Sequence, residues 1–300
     1  MGLSVLDPPT RIILLLITVV AITFHYGNVP LAVALFSIAA VLEPKHRRTI
    51  VKTGIVAGCI VLAAASLNFM IGVVGFGTAS VAPKRAAIVL ARSIEDGPAR
   101  WVLEEDCASA EPRYALCEYW GADIPTNVGA ALWSENGMEQ APPELNARIR
   151  EEEVARLTEA FLSYPGAQTW ALMENAWRQF FLVGARYTRP GDLVEARGGR
   201  IQLVVAQDTV FENIRDELGS VQSTLYIASL AGLFLLRGYR GVAVVLFAGL
   251  AINAAIFGGF SAPVPRYQAR VAWVAFAVVV VLLADHYLRS QSMSRHYQNE

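Results

Sequence analysis

Ionisable side chains are missing from long stretches of this chain. Only 17% of its 300 residues are charged and 54% are hydrophobic, and the mean hydropathy is +0.41. That leaves too little polar surface to clothe a soluble globule of this length. The long apolar runs hold almost no carboxylate or histidine, which argues against a proton- or ion-coupled transporter. Pore-lining polar residues in several runs are also absent, which argues against a channel. Histidine occurs four times and never between residues 78 and 221. Ser-His or Cys-His chemistry there would have to borrow His25, in the loop before the second apolar run. No phosphate loop, dinucleotide fingerprint or basic nucleic-acid stripe occurs, so neither a cofactor nor a nucleic-acid partner is expected.

What is present is a sequence of six apolar stretches, at about 12 to 25, 29 to 43, 53 to 76, 222 to 236, 241 to 260 and 270 to 288. Only the third and fifth clearly reach the ~20 residues that a spanning helix needs. The first two are joined so tightly at His25 to Asn28 that they read either as two spans or as one re-entrant hairpin. The expected fold is therefore an all-α membrane protein with about six transmembrane helices, arranged 3+3. Residues 1–77 hold three segments, 78–221 form a mainly helical periplasmic domain between the third and fourth, 222–288 hold three more, and 289–300 form a cytoplasmic tail.

Charge supports that division. Residues 78–221 carry 22 acids against 14 bases, a net of −8, while the flanks carry 4 against 11, a net of +7; together these give the chain's −1. Basic residues in short loops stay on the cytoplasmic side. Arg11, Lys45, Arg47, Arg48, Lys52, Arg237, Arg240, Arg289 and Arg295 all fall on one side of the proposed segments. Both termini are then cytoplasmic and the insert periplasmic, in a multi-pass protein of a bacterial inner membrane. The first segment reads as a retained anchor, because Asp7, Pro8 and Pro9 precede the first basic residue and no small-residue cleavage site follows. The box Val56-Ala57-Gly58-Cys59 is not a lipoprotein signal, since its long apolar run follows the cysteine.

Within the insert, Lys84 to Ile94 reads as a helix stopped at Gly97-Pro98, and Pro98 opens the next. Residues 107 to 136 read as irregular, with Trp120 and Trp133 as core anchors. Pro142-Pro143 opens a long helix with an apolar stripe of Val154, Leu157 and Phe161, ending at Tyr164-Pro165. Trp170, Met173, Trp177, Phe180, Phe181 and Gly184 share one helix face, which reads as core rather than as a ligand box. Gly198-Gly199 suits a hairpin within 193 to 206. Asp208 then caps a helix whose apolar positions run on into the fourth segment.

Cys107 and Cys117, exposed to an oxidising compartment, would pair in a disulfide. Two separate buried thiols are the alternative, and a zinc site is disfavoured because the insert has no histidine. Glu95-Asp96, Glu104 to Asp106 and Glu151 to Glu153 read as solvated acidic surface, with no pair marked for glycosidase work. In the spans, Asn68 and Asn253 read as interhelical hydrogen-bonding residues. Arg266 and Arg270 stand against the charge rule at the entry to the sixth segment. They would share a helix face and, joined by Lys84 and Arg85, could hold an anionic lipid headgroup, with Tyr267 and Trp273 as interface aromatics.

The runs Ser93 to Arg100, Tyr114 to Cys117 with Cys107 upstream, Leu132-Trp133 and Pro265 to Arg270 resemble a group of uncharacterised proteobacterial inner-membrane proteins. The likeness spans roughly residues 85 to 275. It implies a periplasmic domain with a paired cysteine loop and brings no activity with it. The 3+3 arrangement is also similar to that of lipopolysaccharide-export permeases, though their domain is β-rich. The function expected is non-enzymatic: a periplasmic domain binding a protein partner or envelope component in an accessory, assembly or sensing role. The alternative is a protein that processes or moves an anionic amphiphile. A polar pocket joining Arg266 and Arg270 to the insert would mark the second reading, and an exposed apolar patch the first.

Overall fold

The computed structural model describes residues 16, 18–20, 22–23, 28–42, 47–77, 79–80, 86–184 and 209–297. Among these every regular element is helical and no strand occurs. The hairpin expected at 193 to 206 and the cap at Asp208 lie outside the described residues, as does His25.

Among the described residues four helices are long and apolar enough to cross a membrane: Gly54–Gly75, Asp216–Leu235, Arg240–Gly259 and Pro265–Leu288. The chain is a membrane protein, all-helical over the described residues. Helix α1 (Asn28–Leu42) has 15 residues, short of the ~20 required. It packs against α2 (Arg47–Phe76), with Ile22, Ile60 and Ala64 buried in a small shared core. The fourth segment, expected from residue 222, qualifies from Asp216 onwards.

The chain divides into two compact units, residues 1–175 with 255–262, and 176–254 with 263–300. In the first, α3 (Ile88–Asp96) and α4 (Pro98–Cys107) meet at a corner on Gly97. Its amide N–H donates to the carbonyls of Ser93 and Ile94, closing α3, while its own carbonyl accepts from Trp101 in the first turn of α4. That geometry requires φ +113°, a region in which L side chains are strained. A Cβ at residue 97 would also stand 2.5 Å from the Trp101 ring.

The stretch from 107 to 136, expected to be irregular, contains α5 (Ala115–Trp120) and α6 (Val128–Trp133). Helices of one or two turns do not hold themselves together in water, so local sequence gives little sign of them. Tertiary ties supply what length does not. Cys117 is joined to Cys107 in a disulfide, with Cα atoms 4.9 Å apart. The Trp120 indole N–H donates to the Asn136 carbonyl at 2.7 Å. At the start of α6 the Asn127 side chain accepts from the Ala130 amide at 2.8 Å, and Glu95 of α3 accepts from the Val128 amide at 2.7 Å. Two of the first-turn amides that a helix leaves open are thereby satisfied.

Helix α7 (Pro143–Ser163) begins on Pro143, and α8 (Pro165–Phe181) begins on Pro165, where a missing N–H costs nothing. The core of the first unit gathers Leu90, Ile94, Leu103, Leu116, Leu132 and Ile149, all fully buried, each contributing about 1.5–3 kcal/mol over exposure. Trp120 joins this core. Trp133 does not: it is 59% exposed. Ala131 and Leu132 already fill the inward face of α6, and the 100° step to the next residue turns Trp133 outward.

The second unit is a bundle of α9 (Thr209–Leu235), α10 (Arg240–Ala254) and α11 (Pro265–Tyr297). The unbroken course of α9 matches the expectation that the insert continues directly into the fourth segment. Ala254, Ala272 and Ala275 are buried where the helices approach closely, as small residues allow in membrane bundles. Asn253 forms the interhelical bond expected of it, donating to Gln268 Oε1 at 2.9 Å; Gln268 in turn donates to the Tyr226 hydroxyl at 3.0 Å. Gln268 escapes notice in the sequence because it stands just ahead of the apolar run.

Candidate functional site

Helix α8 is built inside out. Gln168, Asn175 and Gln179, at offsets 0, 7 and 11 along one face, are all buried. Trp170, Met173, Trp177 and Phe181, on the opposite face, are 67%, 61%, 68% and 46% exposed. The reading of that aromatic stripe as core is therefore overturned, and only Phe180 and Gly184 of its six members are buried. The reason lies in what the amides bind. Gln168 accepts from the Ser93 hydroxyl at 2.6 Å, and Asn175 donates to both carboxylate oxygens of Asp96 at 3.0 and 3.2 Å. In the second unit Gln179 takes the amide N–H of Val264 at 2.8 Å and gives its own N–H to the Val264 carbonyl at 3.1 Å. Each buried amide is satisfied, and the docking of the amide face leaves the aromatic face outward.

Asp96 is also the partner of a buried arginine. Arg92 Nε and Nη2 reach Asp96 Oδ1 at 3.0 and 2.5 Å, and Nη2 lies 3.1 Å from Glu95 Oε1. Together Arg92, Ser93, Asp96, Gln168 and Asn175 form a polar seam between α3 and α8 that the acidic-surface reading of Glu95-Asp96 does not foresee. The seam floors a cavity of about 170 Å³. Val89, Arg92 and Ser93 of α3, Leu157 and Phe161 of α7, and Gln168 and Leu172 of α8 line it, with Gly259 and Phe260 closing one side. Its volume is under the roughly 300–1,000 Å³ of drug-sized ligand sites. Beside it, Val154, Phe161 and Leu162 of α7 are exposed. Two of the three residues of the predicted stripe on that helix thus face solvent, and only Leu157 packs on the core.

A second polar cluster sits by the disulfide. Arg113 donates to Asp106 through its main-chain N–H at 3.0 Å and its Nε at 2.8 Å, and to Glu159 at 3.1 Å. These hydrogen bonds, Asp106 first, hold the Arg113 guanidinium above its ordinary pKa. Tyr114 hydrogen-bonds to Glu159, and the Arg156 guanidinium lies over the Tyr114 ring. Burial pushes Arg156 down to about 9, against the pull of Asp106. Every member of this cluster is occupied in closing the 107–117 loop or seating α7, so it has the character of scaffold. Among the described residues no group of His, Cys, Asp or Glu gathers as a metal site.

The predicted headgroup residues are partly in view. Arg266 and Arg270 flank the Tyr267 ring, their guanidinium carbons 5.3 and 5.5 Å from its centroid. They share one face at the start of α11, with Trp273 exposed one turn further on. Lys84 and Arg85 lie outside the described residues. The cavity between α3, α7 and α8 is lined by neither Arg266 nor Arg270. Nor do they line a groove of about 550 Å³ between α9 and α10, whose walls are Leu230, Leu233, Phe234, Ala243, Val244, Phe247 and Ala248, with Arg240 at one end.

No family model, curated protein or solved structure matches this chain.

The functional reading therefore rests on the residues alone. The features that sequence reasoning misses are the buried amides of α8. Their signal was present in the spacing of Gln168, Asn175 and Gln179, which mirrors the aromatic stripe across the helix.

Proposed function

We propose that the chain is a non-enzymatic integral protein of a bacterial inner membrane. In this reading it has six segments arranged 3+3, both termini in the cytoplasm and residues 78–221 in the periplasm. Like the uncharacterised proteobacterial proteins it resembles, it carries a disulfide-tied helical domain. That domain binds a protein partner or envelope component in an accessory, assembly or sensing role. The observation that carries this reading is the exposed apolar surface of α7, Val154, Phe161 and Leu162, beside a small cavity. The partition of charge, −8 in the insert against +7 in the flanks, supports the sidedness.

A second reading is favoured by the paired guanidiniums on Tyr267. Arg266 and Arg270 would hold the anionic head of an amphiphile that the protein moves or processes.

One experiment separates the two. The full chain is purified from native membranes as wild type, as Val154→Lys with Leu162→Lys, and as Arg266→Gln with Arg270→Gln; co-purifying protein and lipid are then identified. Partner binding predicts a co-purifying protein that the α7 variant loses at least tenfold and the arginine variant keeps. Loss of anionic lipid from the arginine variant, with no protein lost from the α7 variant, overturns it in favour of the second reading.

A further inference from the structure

We infer that the groove between α9 and α10 binds one anionic phospholipid of the surrounding membrane, with Arg240 holding the phosphate and the apolar walls taking an acyl chain. Every lining residue belongs to the second unit. The inference rests on the membrane reading but not on any protein partner. Its first support is where the groove runs. Leu230, Leu233 and Phe234 lie in the last two turns of a helix long enough to span, and Ala243, Val244, Phe247 and Ala248 lie in the first three turns of the next. At ~1.5 Å per residue, Ala248 stands about 12 Å along α10 from Arg240. One leaflet of hydrocarbon is about 15 Å thick. The walls therefore run beside acyl chains, and Arg240 stands at headgroup level.

The second support is composition. Arg240 is the one ionisable residue that lines the groove, and the other walls carry no polar side chain. A ligand with a long apolar body and one charged end matches this; a sugar or a peptide would bring polar groups that nothing there could pair. The volume of about 550 Å³ lies within the roughly 300–1,000 Å³ of drug-sized ligand sites. Phe234 and Phe247, their rings 6.3 Å apart and edge to face, are both exposed. Left empty, such a cleft would forfeit the contacts that a lipid chain supplies.

The third support is charge. Arg240 is exposed at the first residue of α10, the positive end of that helix's dipole, and no described carboxylate pairs with it. Asp285 of α11 accepts instead from the hydroxyl of the neighbouring Tyr239. Arg240 also belongs to the basic side of the chain, where the positive-inside bias places it against the leaflet whose anionic lipids attract arginine. A phosphate at the mouth of the groove would meet an uncommitted guanidinium.

The test uses the purified full chain in mild detergent, with phosphatidylglycerol or phosphatidylcholine of the same acyl chains added and the retained lipid read by native mass spectrometry. Wild type should hold one phosphatidylglycerol about fivefold more tightly than phosphatidylcholine. Arg240→Gln should bring the two lipids to parity, Ala243→Leu with Ala248→Leu should weaken both, and Arg266→Gln with Arg270→Gln should change neither. Equal retention of the two lipids by wild type overturns the inference. So does a phosphatidylglycerol preference that survives Arg240→Gln, or one that disappears only with Arg266 and Arg270. Undiminished binding by the folded groove variant overturns it as well, being the mark of lipid held by surface charge alone. If the groove variant loses its helical circular dichroism, Ala248→Leu alone gives the same readout. No protein partner takes part in this binding, so a negative result leaves the α7 co-purification untouched, and a negative result there leaves this one untouched.

Discussion

Arg156 shows how a single side chain in this protein is held at a cost. It is 5% exposed and lies over the Tyr114 ring, and its Nε and Nη1 are buried with no hydrogen-bond partner. Its Nη2 stands 3.9 Å from Glu152 Oε2, a carboxylate that also accepts the Ala115 amide. An ion so desolvated and so poorly paired contributes less than a hydrophobe of similar shape. Arg156→Met should therefore raise stability at neutral pH by about 1 kcal/mol or more, measured by chemical denaturation. The sign of the pH dependence follows from the lowered pKa. Below about 9 the group is charged in both folded and unfolded chains, and the penalty of burying it is fully present. As pH rises through that value the folded form sheds its proton first and the penalty lifts. The advantage of Arg156→Met should accordingly begin to shrink near pH 9 and go on shrinking as the pH rises further. A variant less stable than wild type at pH 7 would contradict the account.

At the scale of elements, the corner between α3 and α4 is a tightly constrained backbone feature. Gly97→Ala forces a Cβ into φ +113° and against the Trp101 ring at 2.5 Å, which should cost about 2 kcal/mol or more; a thermal melt in detergent would read it. The Gly97-Pro98, Pro142-Pro143 and Tyr164-Pro165 signals place the ends of α3, α4, α7 and α8 correctly because prolines and positive-φ glycines act on the chain locally. Two things were not legible for the same reason. Helices α5 and α6 depend on partners elsewhere in the chain, Cys107 for Cys117, Asn136 for Trp120 and Glu95 for the Val128 amide, so their own six residues do not announce them. In α8 the period of the aromatic residues was plain, but a period does not say which face is inside. The amides decided that, by finding Ser93, Asp96 and Val264, and these partners lie 75 to 85 residues away in sequence.

For the molecule as a whole, charge and hydropathy carried the architecture furthest, because both are sums over many residues and tolerate local error. Of the two, hydropathy marked the fifth and sixth segments, and the third as Gly54–Gly75. They could not decide whether the first two segments each span, and α1 is short of that length. The headgroup site was legible only as a pair of arginines; the tyrosine between them, and the absence of either arginine from the cavity beside α7, required coordinates. The cysteine pairing gives a check on the whole chain. In intact cells Cys107 and Cys117 should resist alkylation until a reductant is added, as counted by mass shift; labelling of both without reduction would contradict the bridge. The same loop is also tied by the hydrogen bonds of Arg113 to Asp106. With two of the three cysteines joined to each other, Cys59 of α2 stands as the sole thiol, and it is exposed. The natural polypeptide thus arrives with one addressable handle inside a spanning helix, where a nitroxide or fluorophore can report depth in the bilayer with no other residue changed.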